Sequence, residues 1–180
     1  MTGIPKSFKS FIKTNLIVVQ SLQAGSLMAL GDVIAQFAIE RKKQYDVMRT
    51  LRFGALGVGL VGPSVAMWYK FLSKMIRPDD KTAAFKKVAL DQFMFAPCFL
   101  PVFLIALNTL KGNDWQTTKA EIKDKYFDIM ITNYQVWPLV QFINFKFMPL
   151  QYQVLMNQSV GLFWNSYLSW KTQLSKKIIK

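Results

Sequence analysis

IMITNYQVWPLVQFINFKFMPLQYQVLMNQSVGLFWNSYLSWK, residues Ile129 to Lys171, decides the class of this chain. Between its ends it carries one charge, Lys146. Such a run does not belong to a soluble domain, and as helix it would extend roughly 60 Å, about twice the hydrocarbon core of a bilayer. Pro149 breaks it near the middle, because the proline ring clashes with the preceding turn and drives Met148 toward extended backbone. Two apolar helices are therefore expected, Ile129–Phe147 and Gln151–Trp170, hinged at Met148–Pro149 beside Lys146.

The amides in this stretch say more than its apolar residues. Asn144, Gln151, Gln158 and Asn165 fall seven residues apart, which returns a helix almost to the same face. Gln151, Gln158 and Asn165 are expected on one side of the last helix, and Gln141 and Asn144 on one side of the helix before it. An amide facing lipid leaves hydrogen-bonding groups unmet at a cost of several kcal/mol. These faces must meet other helices or water. They are either interhelical glue or the wall of a polar passage, and the two readings can coexist.

The whole chain has the same character. Of its 180 residues 52% are hydrophobic and 18% charged, which places it among polytopic membrane proteins. The net charge is +13, and the lysines and arginines sit almost wholly between the apolar runs, as they do beside anionic lipid surfaces. They form no stripe interleaved with stacking aromatics, so nucleic-acid binding is not expected. The chain has no histidine, which removes the Ser-His-Asp and Cys-His arrangements and the commonest zinc ligand sets. No enzyme activity, metal or cofactor is expected. Cys98 is the only cysteine, so no intrachain disulfide forms, and in Ala96-Pro97-Cys98-Phe99 it reads as a buried small apolar residue.

Residues 1–13 carry Lys6, Lys9 and Lys13 with Phe8, Phe11 and Ile12, a weak basic amphipathic start without arginine. It is a poor match to a cleaved presequence. The first span is expected over Thr14–Ile39, with Asp32 its only charge. Ser21, Gly25, Met28, Asp32 and Gln36 share one face of it, and small residues at four-residue spacing invite close helix approach. A charge inside a span is a functional-site hypothesis by default, with a structural ion pair the equal alternative. Glu40–Arg52 reads as a polar loop.

The second span is expected over Phe53–Leu72. Its Gly57-Val58-Gly59-Leu60-Val61-Gly62 matches the dinucleotide-binding glycine pattern but lies inside an apolar run and ends in Pro63, without the strand that motif needs. Ala55/Gly59 and Gly62/Ala66 read as helix contact points. Trp68 and Tyr69, followed by Lys70, read as an interfacial belt, as do Trp164 and Trp170. Arg77-Pro78-Asp79-Asp80 is a turn, with Asp79 or Asp80 as N-cap. The third span, Thr82–Leu110, carries Asp91-Gln92 near its start. Lys87 lies four residues before Asp91, at pairing distance on a helix. Pro97 and Pro101 should free backbone carbonyls there for neighbours to satisfy. Lys111–Asp128 alternates in charge and reads as a surface amphipathic helix capped at Asn113 or Asp114.

Several pieces together resemble the Mpv-seventeen family, which includes the twenty-two-kilodalton peroxisomal membrane protein. They are Gly31-Asp32-x-x-x-Gln36; Arg49-x-x-Arg52; Gly62-Pro63 followed by Trp68-Tyr69-Lys70; Asp91-Gln92 followed by Ala96-Pro97-Cys98; Trp137-Pro138-x-x-Gln141-x-x-Asn144-Phe145; Pro149; and Trp164-Asn165-Ser166-Tyr167-Leu168-Ser169-Trp170-Lys171. The Ala-Pro-Cys-Phe-Leu run and the Trp-Asn-Ser-Tyr-Leu-Ser-Trp-Lys ending look most like the family's mitochondrial founding member.

The resemblance implies one all-α membrane domain over 1–180: a helical bundle of four spans plus an apolar C-terminal helix, oligomeric, in the mitochondrial inner membrane. The alternative address is the peroxisomal membrane. It implies a non-selective channel for small solutes or ions that modulates membrane potential, linked to reactive oxygen metabolism and to mitochondrial DNA maintenance. On this reading Asp32, Gln36, Asp91, Gln92, Gln141, Asn144, Gln158 and Asn165 line or gate the passage, and Pro63, Pro97, Pro101, Pro138 and Pro149 are hinges. A pore lined by carboxylates and amides should prefer cations modestly. The rival is a non-conducting scaffold in which the same amides are packing glue.

Overall fold

A computed structural model describes residues 15–41, 43–77 and 80–178, with side chains except at Asn165 and 167–178. The lysines at 6, 9 and 13 and the side chain of Trp170 lie outside the described residues, as do Pro78 and Asp79. Every regular element among the described residues is helical. We number five: α1 Leu16–Ile39, α2 Val47–Met75, α3 Ala83–Leu110, α4 Trp115–Phe147 and α5 Leu150–Ile178.

The first three are long and apolar enough to cross a membrane, the only such helices among the described residues. The first and third match their expected limits. The second starts earlier than expected. Asp46 accepts from Arg49 N at 2.9 Å and caps α2, so Val47–Arg52 is helix rather than loop. The expected fourth span, Ile129–Phe147, does not stand alone either. It is the C-terminal part of α4, which runs unbroken from Trp115 with Asp114 as N-cap accepting from Thr117 N. No proline or glycine separates Trp115 from Asp128, so nothing there ends a helix, and no separate surface helix forms. Its four amides at 133, 135, 141 and 144 and its lysine keep Ile129–Phe147 less apolar than α1 to α3. The break at Met148–Pro149 is as expected, with Met148 extended (φ −94°, ψ 127°). Beyond it α5 continues past Trp170 to Ile178.

α1 packs along both α2 and α5, and α3 packs along α4. The α1–α2 contact is made by backbone. A Cβ on Gly57 would lie 2.5 Å from Gly25 Cα, one on Gly62 would run into Ser21, and one on Gly54 would touch Ala29. Thus the Ser21, Gly25, Ala29 row of α1 meets Gly62, Gly57 and Gly54 of α2, antiparallel and close. Ala55 and Gly59, expected as contact points, face outward instead, and a Cβ on Gly59 would meet nothing.

Three single π turns interrupt these helices, at Ala35–Ile39, Gly57–Val61 and Asp91–Phe95. The last two stand directly before Gly62-Pro63 and Ala96-Pro97. The wider turn absorbs the proline without ending the helix. It also lets the consecutive residues Asp91 and Gln92 both point inward. Pro101 and Pro138 lie inside continuous helices. Pro101 has no N–H for the carbonyl of Pro97, and the Tyr126 hydroxyl donates to that carbonyl from α4 at 3.2 Å.

Two apolar cores result. One joins Val65, Ala66, Tyr69 and Leu72 of α2 to Phe145 and Val154. The other joins Met28, Leu56, Phe103, Leu104 and Leu107. Large apolar side chains such as Val18, Leu22, Phe71, Phe93 and Phe163 face outward, the pattern of a surface solvated by lipid. Cys98 is on that outer surface and is not the buried residue its neighbours suggested, because α3 buries Phe103, Leu104 and Leu107 and Cys98 falls on another side of the helix.

Candidate functional site

The residues expected to share one passage separate into two sites. Asp32 and Gln36 form the first, at the α1–α2 end of the bundle. Arg49 Nε stands 2.6 Å from Asp32 Oδ1, and the Thr50 hydroxyl donates to Oδ2 at 2.6 Å. Gln36 Nε2 donates to the same oxygen at 2.8 Å, while its Oε1 accepts from Asp46 N. Arg49 also grips Glu40 with two bonds of 2.8 Å. Oδ1 of Asp32 thus faces the guanidinium and Oδ2 takes the hydrogen bonds, and Asp32 is not on the lining of the second site. It is a structural ion pair that ties α1 to the start of α2.

The second site is a half-open cavity of about 140 Å³ lined by residues of all five helices. Met28 comes from α1, Tyr69 from α2, Asp91 and Gln92 from α3, Trp137 and Gln141 from α4, and Asn157 and Gln158 from α5. Asp91 is the one charged residue that lines it among the described residues. Its Oδ1 accepts from Trp68 Nε1 and its Oδ2 from Gln92 Nε2, each at 2.9 Å. Lys87, expected as its partner, is not in these bonds: the indole and the amide hold the carboxylate instead. Gln92 Oε1 in turn accepts from Asn133 Nδ2 at 3.0 Å, which links α3 to α4.

A further part of the wall is an amide chain. Gln141 Nε2 donates to the Tyr69 hydroxyl at 2.7 Å and to Asn157 Oδ1 at 3.1 Å. Asn144 Nδ2 donates to Gln141 Oε1 and to the carbonyl of Gln153. Asn144 therefore backs the cavity rather than lining it. Two buried N–H groups of lining residues, Trp137 Nε1 and Gln158 Nε2, have no hydrogen-bond partner among the described residues. Trp137 meets Trp164 edge to face at 5.8 Å.

Several expectations change here. Tyr69 is fully packed in the core and Trp68 stacks on Phe95, so this pair faces the bundle and not a headgroup belt. Trp164 lines the cavity. Gln151 is exposed. It sits in the first turn of α5, and its carbonyl, not its side chain, meets Gln20. Asn165 lies outside the described side chains. The residues that periodicity missed are Gln153 and Asn157, one turn apart on α5 and both buried, together with Asn133 and Tyr69. The four-residue spacing of Gln153 and Asn157 was the available signal. Among the described residues no three His, Cys, Asp or Glu side chains gather as a metal would need.

Comparison with known proteins agrees with this architecture. The model of the Mpv17 / PMP22 family matches residues 108–169, the segment of α4 and α5 that supplies the amide wall. The chain is 48% identical over 155 residues to the mitochondrial inner membrane protein Mpv17 of Rattus norvegicus, covering 85% of this chain and 88% of that protein. It is equally similar to the protein of that name from Homo sapiens. It is 41% identical over 177 residues to the one from Xenopus laevis, covering 97% and 100%. No solved structure matches. The chain belongs to the Mpv17 / PMP22 family of membrane proteins.

Proposed function

We propose that the chain is a channel of the mitochondrial inner membrane that passes small solutes or ions through the Asp91 cavity. The observation that carries this reading is the convergence of all five helices on one cavity whose largely apolar wall holds several amides and, as its one charge among the described residues, a buried carboxylate. A helical bundle that needed only stability would fill that volume with apolar side chains, since a buried polar group is costly unless fully bonded. The address rests on the names of the relatives, and the peroxisomal membrane is the alternative. Through such a passage the protein would modulate membrane potential and, with it, reactive oxygen metabolism and mitochondrial DNA maintenance. We assign it no enzymatic step.

The test is solute flux from liposomes holding the purified protein, wild type beside Gly161→Leu. Gly161 lines the cavity and stands 3.4 Å, measured from a built Cβ, from Gln158 Oε1. A leucine there fills the passage without adding a charge. Flux in the wild type that falls in the variant supports the channel. No flux from folded wild-type protein rejects it.

One observation favours a second reading. The Tyr69, Gln141, Asn144, Asn157 chain satisfies most of its own hydrogen bonds, as packing glue does. In a non-conducting scaffold that glue would be its whole role. Absence of flux with a stable co-purifying complex would establish it.

A further inference from the structure

We infer that the cavity is a binding site for small primary ammonium ions with a ring-sized body and a hydrogen-bond acceptor. The inference rests on the channel reading above and names the class of solute for its site.

The charge comes first. The one ionisable carboxylate on the lining is Asp91, 3% exposed, and among the described residues no lysine or arginine shares the lining. Its bonds come from N–H donors, Trp68 Nε1 and Gln92 Nε2, with the Gln141 amide beside it. They hold the group as an acceptor and leave lone pairs over. A buried anion with free lone pairs and no cation beside it calls for a cation that donates hydrogen bonds. An ammonium does both.

The walls set the body. Phe95, Phe99, Phe103 and Trp164 line the same space as Asp91, and Phe95 stacks on Phe99 at 4.9 Å. Aromatic faces stabilise both a flat apolar body and a neighbouring cation. At about 140 Å³ the cavity has room for one ring, as a cavity of about 150 Å³ admits benzene.

The amide and indole donors ask for an acceptor. Gln158 Nε2 and Trp137 Nε1 are buried donors without a partner among the described residues. A buried donor left unmade costs free energy that an acceptor on the solute recovers. Hydrated metal ions use neither the aromatic walls nor these donors.

The probes are 4-(aminomethyl)pyridine, which has all three features; benzylamine, which lacks the acceptor; and 4-pyridylmethanol, which lacks the charge. Calorimetric titration into the full chain in lipid nanodiscs, against empty discs, reads binding. The expected order is aminomethylpyridine, then benzylamine, with the alcohol weaker than the first by at least about tenfold. Asp91→Asn should abolish the advantage of the amine over the alcohol. Gln158→Met, which keeps the volume, should weaken aminomethylpyridine and leave benzylamine unchanged. The comparison of amine with alcohol needs only the wild type, so a misfolded variant does not spare the inference.

Equal binding of amine and alcohol, or no saturable binding, overturns it. So does a Gln158→Met protein that binds aminomethylpyridine as the wild type does. Flux of small ions without amine binding would leave the channel standing and reject the ammonium site. Amine binding without flux would do the reverse.

Discussion

Arg49 Nε lies 2.6 Å from Asp32 Oδ1, with the carboxylate side chain 1% exposed. This pair closes the α1–α2 hairpin, and Thr50 and Gln36 complete its hydrogen bonds. Removing one member of a buried pair leaves the other charge uncompensated, at about 3–5 kcal/mol. Arg49→Gln should lower thermal stability in detergent by that order, and Asp32→Asn by less, because Glu40 still compensates Arg49. The double variant should lose less than the sum of the two. An Asp32→Asn protein as stable as wild type would show that the pair holds nothing.

The glycines of α2 should divide sharply. Gly57→Ala forces a Cβ into the backbone of α1 at 2.5 Å, so the helices must part, at a cost of about 1–3 kcal/mol or more. Gly59→Ala meets open space and should be neutral or stabilising by up to about 1 kcal/mol through helix propensity. Melting temperatures of the two variants, measured together, check the register of the hairpin. Equal effects would place the α1 contact elsewhere.

Tyr69 and Asn144 anchor the amide wall. Tyr69→Phe removes the acceptor of Gln141 Nε2 but leaves Asn157 as its second, so a loss of about 1 kcal/mol is expected. Asn144→Ala strips Gln141 Oε1 and the Gln153 carbonyl of their donor at once and should cost about 2–3 kcal/mol. Chemical denaturation would rank the two. The opposite ranking would mean that the wall is held from Tyr69 rather than from the α4–α5 turn.

How far the sequence carries this account depends on the residue. The ends of α1 and α3 were legible because their apolar runs stop at charged turns, and the inward face of α1 because its small residues recur every fourth position. The α4–α5 break was legible because proline leaves little choice at Met148. The continuity of α4 was not, since charge along 111–128 reports exposure and says nothing about where a helix ends. Tyr69 was misread because Trp68 before it and Lys70 after it imitate a headgroup belt. The hydrogen bond from Trp68 to Asp91 and the contact of Tyr69 with Gln141 are tertiary. Asp32 was visible as a buried charge and Arg49 as part of a motif, but pairing them needed the hairpin. The π turn that brings both Asp91 and Gln92 inward leaves no mark in a period of 3.6.

The turn between α2 and α3 gives a pH test outside the spans. Lys86, then the hydroxyl and N–H of Thr82, hold the Asp80 carboxyl well below the usual carboxylate range. A lowered folded pKa means that this contribution is present above about pH 4, the unfolded value, and is lost as pH falls through the folded one. Lys86→Met should raise the Asp80 titration toward its ordinary range, read by NMR of a labelled carboxyl. No change on removing Lys86 would assign the effect to Thr82 alone.

The central claim is that solutes meet Asp91 on their way through the bundle. The direct measurement is the reversal potential of the purified protein in a planar bilayer under a potassium chloride gradient, wild type beside Asp91→Asn and Asp32→Asn. A carboxylate on the path should make the wild type cation-preferring. The preference should fall in Asp91→Asn and persist in whatever folded Asp32→Asn channel remains. A reversal potential unchanged by Asp91→Asn would take the passage away from this cavity.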